Sequence, residues 1–116
     1  PAPSSVPPKT GVLLLNMGGP RTVAEVPDFL HRLFTDGDII KLPAQKTLGA
    51  WIARRRTPAI QHKYAEIGGG SPIFKWTDLQ GRLMCERLNT ELPEHGPFRH
   101  YVGFRYAQPL LEDTLQ

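Results

Sequence analysis

The feature that most constrains this chain is an unbroken apolar run that ends in a glycine pair and a proline. Residues 11–15 read Gly-Val-Leu-Leu-Leu, without the polar alternation of a strand that has one face in water. The run stops at Asn16 and Met17, and residues 18–20, Gly-Gly-Pro, follow. A strand buried on both faces of a parallel sheet has this pattern, and the glycines allow a sharp turn after it. The sequence therefore predicts an α/β fold that opens with a buried strand.

The turn after this strand is a candidate ligand-binding position. In open α/β sheets, ligands bind beyond the carboxyl ends of the strands, which is where Asn16 and Met17 are expected. A tight strand-to-helix turn without a ligand explains the same residues equally well. The loop is neither G-x-G-x-x-G nor a Walker A loop, so it supports a nucleotide only weakly. A ligand site and a plain turn both stay open on this evidence.

Composition limits the class of protein and its partners. The chain has 116 residues, enough for one domain with a hydrophobic core, and a net charge of +3. Its longest basic run is the three arginines at residues 54–56, so the charge favours anionic partners without indicating nucleic acid. No run approaches the ~20 apolar residues of a membrane-spanning helix. The single cysteine, Cys85, rules out an internal disulfide and a cysteine metal site within this chain.

The start of the chain predicts a disordered lead followed by a capped helix. Residues 1–8, PAPSSVPP, are rich in proline and serine and cannot build a core. Thr22 and Glu25 match a capping box, and a helix beginning at Pro27 should end near residues 36–37. Its apolar stripe at helical spacing is Phe29, Leu30, Leu33 and Phe34.

Residues 38–56 form the least regular part of the pattern. Its apolar and aromatic side chains are interrupted by Pro43, and the segment ends in the three arginines. Such a segment suits a surface that lies against anionic lipid headgroups. It also suits the wall of a pocket for a large, flat, acid-bearing ligand, or a helical excursion packed on the sheet with a solvated basic end. The pattern leaves these interpretations open.

Two helix boundaries follow from proline and glycine. Thr57 and Pro58 read as the N-cap and first residue of a helix that Gly68 ends. After the triple glycine, Ser71 and Pro72 begin another helix. Its N-terminus could bind an anion, or the Ser71 hydroxyl could simply cap the helix.

This later helix is predicted to run to about Leu92. We interpret Cys85 on it as a small core residue and not as a nucleophile. The side chains expected to be buried are Trp76, Leu79, Leu83 and Leu88.

A second strand is predicted at residues 100–106, followed by the start of a helix. Arg105 then lies near the carboxyl end of a parallel strand, on the ligand side, and is either structural or ligand-facing. Two strands and several helices do not complete a doubly wound sheet, so we expect a domain truncated after its second strand.

Four motifs, in register, resemble the N-terminal part of ferrochelatases, and most of all the animal form. They are LLLNMGGP at residues 13–20, RRRTPAIQHKY at 54–64, IGGGSPI at 67–73 and GFRY at 103–106. The resemblance covers residues 9–116. It implies a Rossmann-like, chelatase-type lobe whose parallel sheet is flanked by helices, in an enzyme that inserts ferrous iron into protoporphyrin IX to form protohaem.

The resemblance also implies roles for matching positions. Arg56 and Ser71 suit the porphyrin propionates, and Met17 faces the macrocycle. Where related animal sequences tend to carry a lysine, this chain has Ala59, and Lys63 one turn later is a candidate replacement. The implied porphyrin-binding residues are Met17, Arg55, Arg56, Tyr64, Ser71 and Arg105.

A membrane-facing lip is implied from about residue 29 to residue 56. It would touch the matrix side of the mitochondrial inner membrane as a peripheral surface, and the complete enzyme is expected to be a homodimer. The implied lip residues are Leu33, Phe34, Ile39, Ile40, Leu42 and Trp51.

The family's catalytic histidine and glutamate, and the cysteines of the iron–sulfur cluster of animal members, belong to a later part of the family's sequence. No catalytic residue and no metal ligand is therefore assigned here. The four histidines, His31, His62, His95 and His100, do not match the catalytic one and are interpreted as surface residues.

Two other functions stay open. One is a truncated, non-catalytic product that only binds porphyrin or membrane. The other is a nucleotide-binding module at the Gly18-Gly19 turn, which is disfavoured because Arg105 stands where an acidic ribose partner is expected.

Overall fold

Two parallel strands and four helices make up residues 9–116, the part of the chain that the computed structural model describes. The disordered lead predicted at residues 1–8 lies outside this part. The strands are β1, Thr10–Asn16, and β2, Phe98–Phe104; the helices are α1, Val26–Phe34, α2, Gln45–Glu66, α3, Ile73–Glu91, and α4, Leu111–Thr114, with 3-10 turns at Val23–Glu25 and Pro93–His95.

The two strands pair in parallel, from Thr10 opposite Phe98 to Asn16 opposite Phe104. Parallel strands need a crossover connection, and α1, α2 and α3 lie on the chain between them. The predicted α/β class, with a parallel sheet flanked by helices, is confirmed. Strand β2 begins and ends two residues before the predicted span of 100–106. It begins at Phe98, which pairs with Thr10, and it ends at Phe104 because the chain bends directly afterwards.

The described residues cover only one face of β1, which corrects the prediction of a strand buried on both faces. Helix α3 packs over the side of Val12 and Leu14, which are half-buried. On the opposite face, Leu13 is 38% exposed and Leu15 is 59% exposed. The apolar run indicates a strand that can be buried on both faces, and within residues 9–116 helix α3 covers one of them.

Helix α3 meets the sheet through small residues. Its buried positions are Thr77, Gly81 and Cys85, spaced four residues apart. A Cβ at Gly81 would come within 2.7 Å of the His100 ring and 2.9 Å of a Leu14 methyl group, so helix and sheet are in direct contact there. At the start of α3, the larger Ile73 and Phe74 also pack against Val102 and Phe104 of β2. The predicted burial of Trp76 and Leu83 is wrong, because they lie off the buried stripe of α3 and are 51% and 52% exposed. Leu79 and Leu88 are half-buried.

Helices α1 and α2 form a second core, which Phe29 joins to the cluster around Val102 and Phe104 of β2. Val26, Leu30 and Phe34 of α1 pack with Ala53 of α2. Gly49 brings the helices into contact, because a Cβ there would overlap the carbonyl group of Phe34. The predicted stripe of α1 is thus confirmed at Leu30 and Phe34, and the helix starts one residue earlier than expected.

Helix α2 corrects the prediction of a new helix at Thr57 and Pro58. It runs unbroken from Gln45 to Glu66, with Pro58 in its interior. The Thr57 hydroxyl donates a hydrogen bond to the carbonyl oxygen of Ala53 at 2.7 Å instead of capping an N-terminus. A proline inside a helix normally costs about 3 kcal/mol. Packing of α2 against α1 on both sides of Pro58 outweighs this cost.

Two other predicted helix ends are confirmed. The Glu25 carboxylate accepts hydrogen bonds from the backbone N–H groups of Arg21 and Thr22, at 2.8 and 3.1 Å. After α2, Gly68 has a φ of +105°, the conformation that ends many helices.

Candidate functional site

A groove of about 480 Å³ lies at the carboxyl ends of both strands. This is where ligands bind in open α/β sheets. Met17 is 45% exposed and the Arg105 side chain 47% exposed, so a thioether and a guanidinium line the same opening. We call it the strand-end groove, lined by Leu15, Asn16, Met17, Gly103, Phe104, Arg105, Leu111 and Glu112.

The turn below this groove is fixed by Asn16 and Gly18. The Asn16 side chain accepts a hydrogen bond from the Gly18 N–H at 2.7 Å and donates one to the Thr77 hydroxyl on α3 at 3.2 Å. Gly18 has a φ of +81°, and a Cβ there would come within 2.6 Å of the Phe104 ring. The close approach expected at the glycines is real, and its partner is the adjacent strand. The amide of Asn16 serves the turn and the α3 contact.

The chain beyond β2 stays attached to the turn beyond β1. The N–H groups of Arg105 and Tyr106 donate to the carbonyl oxygens of Asn16 and Met17, both at 3.1 Å. These bonds extend the parallel pairing past the regular strands. They hold Met17 and Arg105 on the same edge of the sheet.

Two carboxylates from the loop after α1 surround the Arg105 guanidinium. Nη2 of Arg105 lies 2.6 Å from Oδ2 of Asp36 and 2.9 Å from Oδ2 of Asp38. The buried Tyr106 hydroxyl donates to the same Asp36 oxygen at 2.7 Å. Arg105 is therefore charge-paired within the chain, and the sequence reasoning missed both partners. The acidic residues on either side of Gly37, directly after a helix end, were the available signal.

The network shifts the ionisation of its members. The hydrogen bond from Tyr106, then that from the Asp38 N–H, holds the pKa of Asp36 below its usual value, with a contribution from Arg105. Burial, and then the hydrogen bond to Asp36, raises the pKa of Tyr106 to about 12. The hydrogen bond to Asp38 raises the pKa of Arg105. At neutral pH the network holds a carboxylate at Asp36, a neutral phenol and a guanidinium.

A second groove, of about 400 Å³, lies between α1 and α2. Its wall is mostly aliphatic and aromatic, with Arg56, Lys63 and the half-buried Tyr64 on the α2 side. The Arg56 guanidinium carbon lies 5.8 Å from the centre of the Phe34 ring. We call it the helical groove, lined by Phe29, Leu30, Leu33, Phe34, Arg56, Ile60, Lys63, Tyr64 and Ile67.

The other two implied porphyrin residues lie outside both grooves. The Ser71 hydroxyl accepts a hydrogen bond from the Ile73 N–H at 3.2 Å. The N-cap of α3 is Pro72, so the helix begins one residue later than predicted and Ser71 lies just before the cap. The Ser71 N–H donates to the Pro20 carbonyl at 2.6 Å, which joins the start of α3 to the turn after β1. Arg55 is exposed on α2, with its guanidinium carbon 5.4 Å from the Trp51 ring centre.

The six residues implied for the lip differ in exposure. Ile39 and Trp51 are 47% and 51% exposed. Phe34 is only 8% exposed and belongs to the α1–α2 core, so its assignment to a membrane-facing surface is corrected. Ile40 packs against that core and is half-buried. Leu33 and Leu42 are also half-buried.

Histidine and cysteine positions give one correction and one confirmation. His100, interpreted from sequence as a surface residue, has a side chain only 21% exposed, and its Nε2 lies 2.7 Å from Oδ1 of Asp78. The strand places it against α3, beside Gly81, which composition does not indicate. Cys85 is 5% exposed, and burial raises the pKa of its thiol, as suits the predicted small core residue.

Residues 9–116 contain neither a cluster of metal ligands nor a membrane-spanning helix. In this range no three histidine, cysteine or acidic side chains come together as a metal site. None of its helices combines the length and the hydropathy needed to cross a bilayer.

Comparison with known proteins gives a consistent family. The ferrochelatase family model matches residues 9–116. The chain is 62% identical over 108 residues to "Ferrochelatase, mitochondrial" of Drosophila melanogaster, covering 93% of this chain and 28% of that protein. The Bos taurus protein of the same name is 53% identical over 114 residues, 98% of this chain and 27% of the relative. The Homo sapiens protein of the same name is 52% identical over 109 residues, which cover 94% of this chain and 26% of that protein. The chain thus spans about a quarter of the length of these relatives.

Proposed function

The chain belongs to the ferrochelatase family, and on that premise we propose that it forms one wall of the porphyrin site of a haem-forming enzyme. The reaction is the insertion of ferrous iron, as substrate, into protoporphyrin IX to give protohaem, the last step of haem biosynthesis. The observation that carries the proposal is the helical groove, in which an apolar wall ends in two cations and a phenol.

The chemistry of a porphyrin fits this wall. The macrocycle is a large apolar disc with two carboxylates on one edge, so its site needs apolar walls and cations or hydroxyls along one side. Arg56 and Lys63 form no ion pair with any carboxylate of residues 9–116, so their charges are available to propionates. Arginine can bond a carboxylate through two N–H groups at once, which a lysine cannot do.

The strand-end groove supplies the other part of the proposed site. Met17 presents an apolar, polarizable thioether on the side where a ligand is expected, and it faces the macrocycle in our proposal. Arg105 is the charged group of the same groove. Ser71 and Arg55 complete the proposed contacts.

Binding and catalysis are separated in this proposal. Iron insertion requires a group that removes protons from the pyrrole nitrogens, and the resemblance matches no residue of this chain to the family's catalytic histidine or glutamate. Residues 1–116 tested alone should therefore bind porphyrin or membrane without inserting iron. Insertion above the uncatalysed rate would show that a base lies within this chain.

An iron–sulfur cluster is expected in the complete animal enzyme, but these residues do not fit one. Such clusters are held by several cysteine thiolates, whereas Cys85 is the single cysteine here and is buried with a raised thiol pKa. No step of this proposal passes through a cluster.

Location and assembly follow as further proposals. The relatives are named mitochondrial, and we place this protein peripherally on the matrix side of the inner mitochondrial membrane. Its lip would contact the lipid through Ile39 and Trp51, with the exposed residues 54–56 attracting anionic headgroups. A second copy completes the expected homodimer, and no nucleic acid is expected as a partner.

The test uses the complete enzyme and Arg56→Leu. If Arg56 pairs with a propionate, the variant should lose about 1.5–3 kcal/mol of binding energy for protoporphyrin IX, the range for hydrogen bonds to charged groups. This is a roughly ten- to hundredfold weaker affinity. The dimethyl ester should bind wild type and variant alike, because its propionates are esterified and carry no charge. Fluorescence titration with both porphyrins measures the difference.

Arg54→Leu is the matched control, since Arg54 is exposed on the same helix and lines neither groove. It should bind both porphyrins as wild type does. Equal weakening of acid and ester by Arg56→Leu would mean that Arg56 supports the fold and does not contact a propionate.

A further inference from the structure

The two carboxylates on Arg105 differ in how firmly they are held. The Asp36 side chain is 18% exposed, whereas that of Asp38 is 81% exposed. Asp36 accepts bonds on both oxygens, from the Asp38 N–H at 2.9 Å on Oδ1 and from Tyr106 and Arg105 on Oδ2. Within residues 9–116, the carboxylate of Asp38 has Arg105 as its ionic partner.

Asp36 also determines where the strand-end groups point. Its Oδ2 holds the Arg105 guanidinium and the Tyr106 hydroxyl at 2.6 and 2.7 Å, so one atom orients two consecutive residues. Their backbone N–H groups are held by the turn after β1. The Arg105 side chain is therefore fixed at its base by the sheet and at its tip by the loop after α1.

Asp38 is a weakly held partner by comparison. An exposed ion pair contributes little to stability, because water screens it and two side chains must be ordered to form it. Exchange of one carboxylate for another keeps the guanidinium paired and adds no uncompensated charge. A carboxylate-bearing ligand in the strand-end groove could take the place of Asp38 at little cost.

We propose that Asp36 is a positioning residue that holds Arg105 in the strand-end groove through a network with the buried Tyr106, and that Asp38 occupies the place on Arg105 that a porphyrin carboxylate takes. The inference rests on the proposed function, because the ligand it names is an acidic porphyrin. Asp38 then competes with the ligand for one guanidinium, and substrate binding releases the Asp38 side chain while Asp36 keeps its bonds to Arg105 and Tyr106.

The two isosteric changes Asp38→Asn and Asp36→Asn separate these roles, because they should act in opposite directions. In the complete enzyme, Asp38→Asn removes the competitor and should tighten protoporphyrin IX by up to roughly fivefold, with no change for its dimethyl ester. Asp36→Asn should weaken the acid porphyrin and reduce kcat/KM on the order of tenfold or more, since a misplaced group is costly. Fluorescence titration measures the affinities, and steady-state kinetics measures kcat/KM.

Controls keep each result interpretable. Glu86→Gln, an exposed carboxylate on α3 outside both grooves, should change neither porphyrin. Asp36→Glu, which keeps the charge, should restore part of the acid-over-ester preference that Asp36→Asn loses. A merely structural role would weaken acid and ester alike.

The outcomes also distinguish the inference from the function on which it rests. If the wild-type enzyme binds protoporphyrin IX but Asp38→Asn binds it equally or more weakly, the exchange at Arg105 is wrong. If Asp36→Asn keeps the wild-type acid-over-ester ratio, the positioning role is wrong. If the wild-type enzyme does not bind the porphyrin, the proposed function itself fails. Asp38 is exposed, so its variant is expected to fold and gives an answer even where Asp36→Asn does not fold.

Discussion

The strand-end groove and the helical groove are prepared for a ligand in different ways. The first is bounded by residues at the carboxyl ends of both strands and at the start of α4, and its cation is already paired with Asp36 and Asp38. The second is bounded by side chains of two helices, and Arg56 and Lys63 form no ion pair there within residues 9–116.

The two grooves therefore differ in how firmly they position a cation and in how strongly that cation attracts an anion. A charge that is held by its own carboxylates is placed with precision but attracts an anion weakly until one partner leaves. A charge on an exposed helix face attracts an anion directly but has more freedom of orientation. One wall of a site can thus fix the orientation of a carboxylate while the other supplies more of the attraction for the acidic ligand.

The largest effect should come from Gly18→Ala, which disrupts the strand-end groove. The positive φ at Gly18 costs an alanine about 1–3 kcal/mol, and its Cβ would collide with the buried Phe104 for about 1–3 kcal/mol more. We expect the complete protein to lose about 2–6 kcal/mol of unfolding free energy in urea. Gly68→Ala is the matched control, since φ is +105° there but nothing lies within 4 Å of a Cβ. Equal losses would mean that contact with Phe104 does not shape the turn.

The next effect concerns the lip beside the helical groove. Ile39→Asp removes a half-exposed apolar side chain and adds a negative charge, so binding to anionic vesicles should weaken by about 1–2 kcal/mol, or roughly five- to thirtyfold. Vesicle sedimentation of the complete enzyme measures this. Ile40 is unsuitable because it packs against the core. Leu115→Asp, an exposed apolar position outside the lip, is the control. Unchanged sedimentation of Ile39→Asp would show that the lip does not contact lipid.

A smaller effect tests whether Lys63 compensates for Ala59. Ala59 is exposed on α2, and Ala59→Lys should tighten protoporphyrin IX by up to roughly fivefold, as an exposed charge pair allows. The ester should be unaffected, and Ala59→Met controls for side-chain length. Combining Ala59→Lys with Lys63→Met completes a double-mutant cycle. If Lys63 already serves the same propionate, Ala59→Lys gains more when Lys63 is absent. Strict additivity would show that the two positions act independently.

The smallest effect is a pH dependence of the Asp36–Tyr106 pair that holds Arg105 beside the strand-end groove. The folded pKa of Tyr106, about 12, exceeds its ordinary value of 10.0. Its contribution to stability is therefore complete below pH 10 and is lost as pH rises toward 12. For Asp36, whose pKa is lowered, the contribution is present above the ordinary carboxyl pKa and is lost as pH falls through the folded value. Tyr106→Phe should flatten the alkaline decline in urea stability; an unchanged decline would assign it to other groups.

Local sequence signals predicted the sheet and most helix ends, because those signals act within a few residues. The apolar run before Asn16, the Glu25 cap and the glycine after α2 are all of this kind. The signal at Thr57 and Pro58 failed because contacts with α1, more than twenty residues earlier, hold α2 together across the proline.

Burial was harder to predict than secondary structure. Helix α3 fully buries Thr77, Gly81 and Cys85, and the hydrophobicity of its other residues did not reveal this stripe. For the candidate site, sequence identified Met17 and Arg105, which the fold brings into one groove. It could not identify Asp36, because pairing across about seventy positions depends on where α1 ends relative to β2.

Because α3 packs tightly against the sheet, the reactivity of its buried cysteine reports how often this helix separates from the strands. Cys85 lies under that contact, 5% exposed, and burial raises the pKa of its thiol, so little of the reactive thiolate is present or reachable. A thiol reagent can then modify Cys85 only after α3 has separated from the strands. The rate of modification therefore measures how often this helix opens, and it does so without any introduced label.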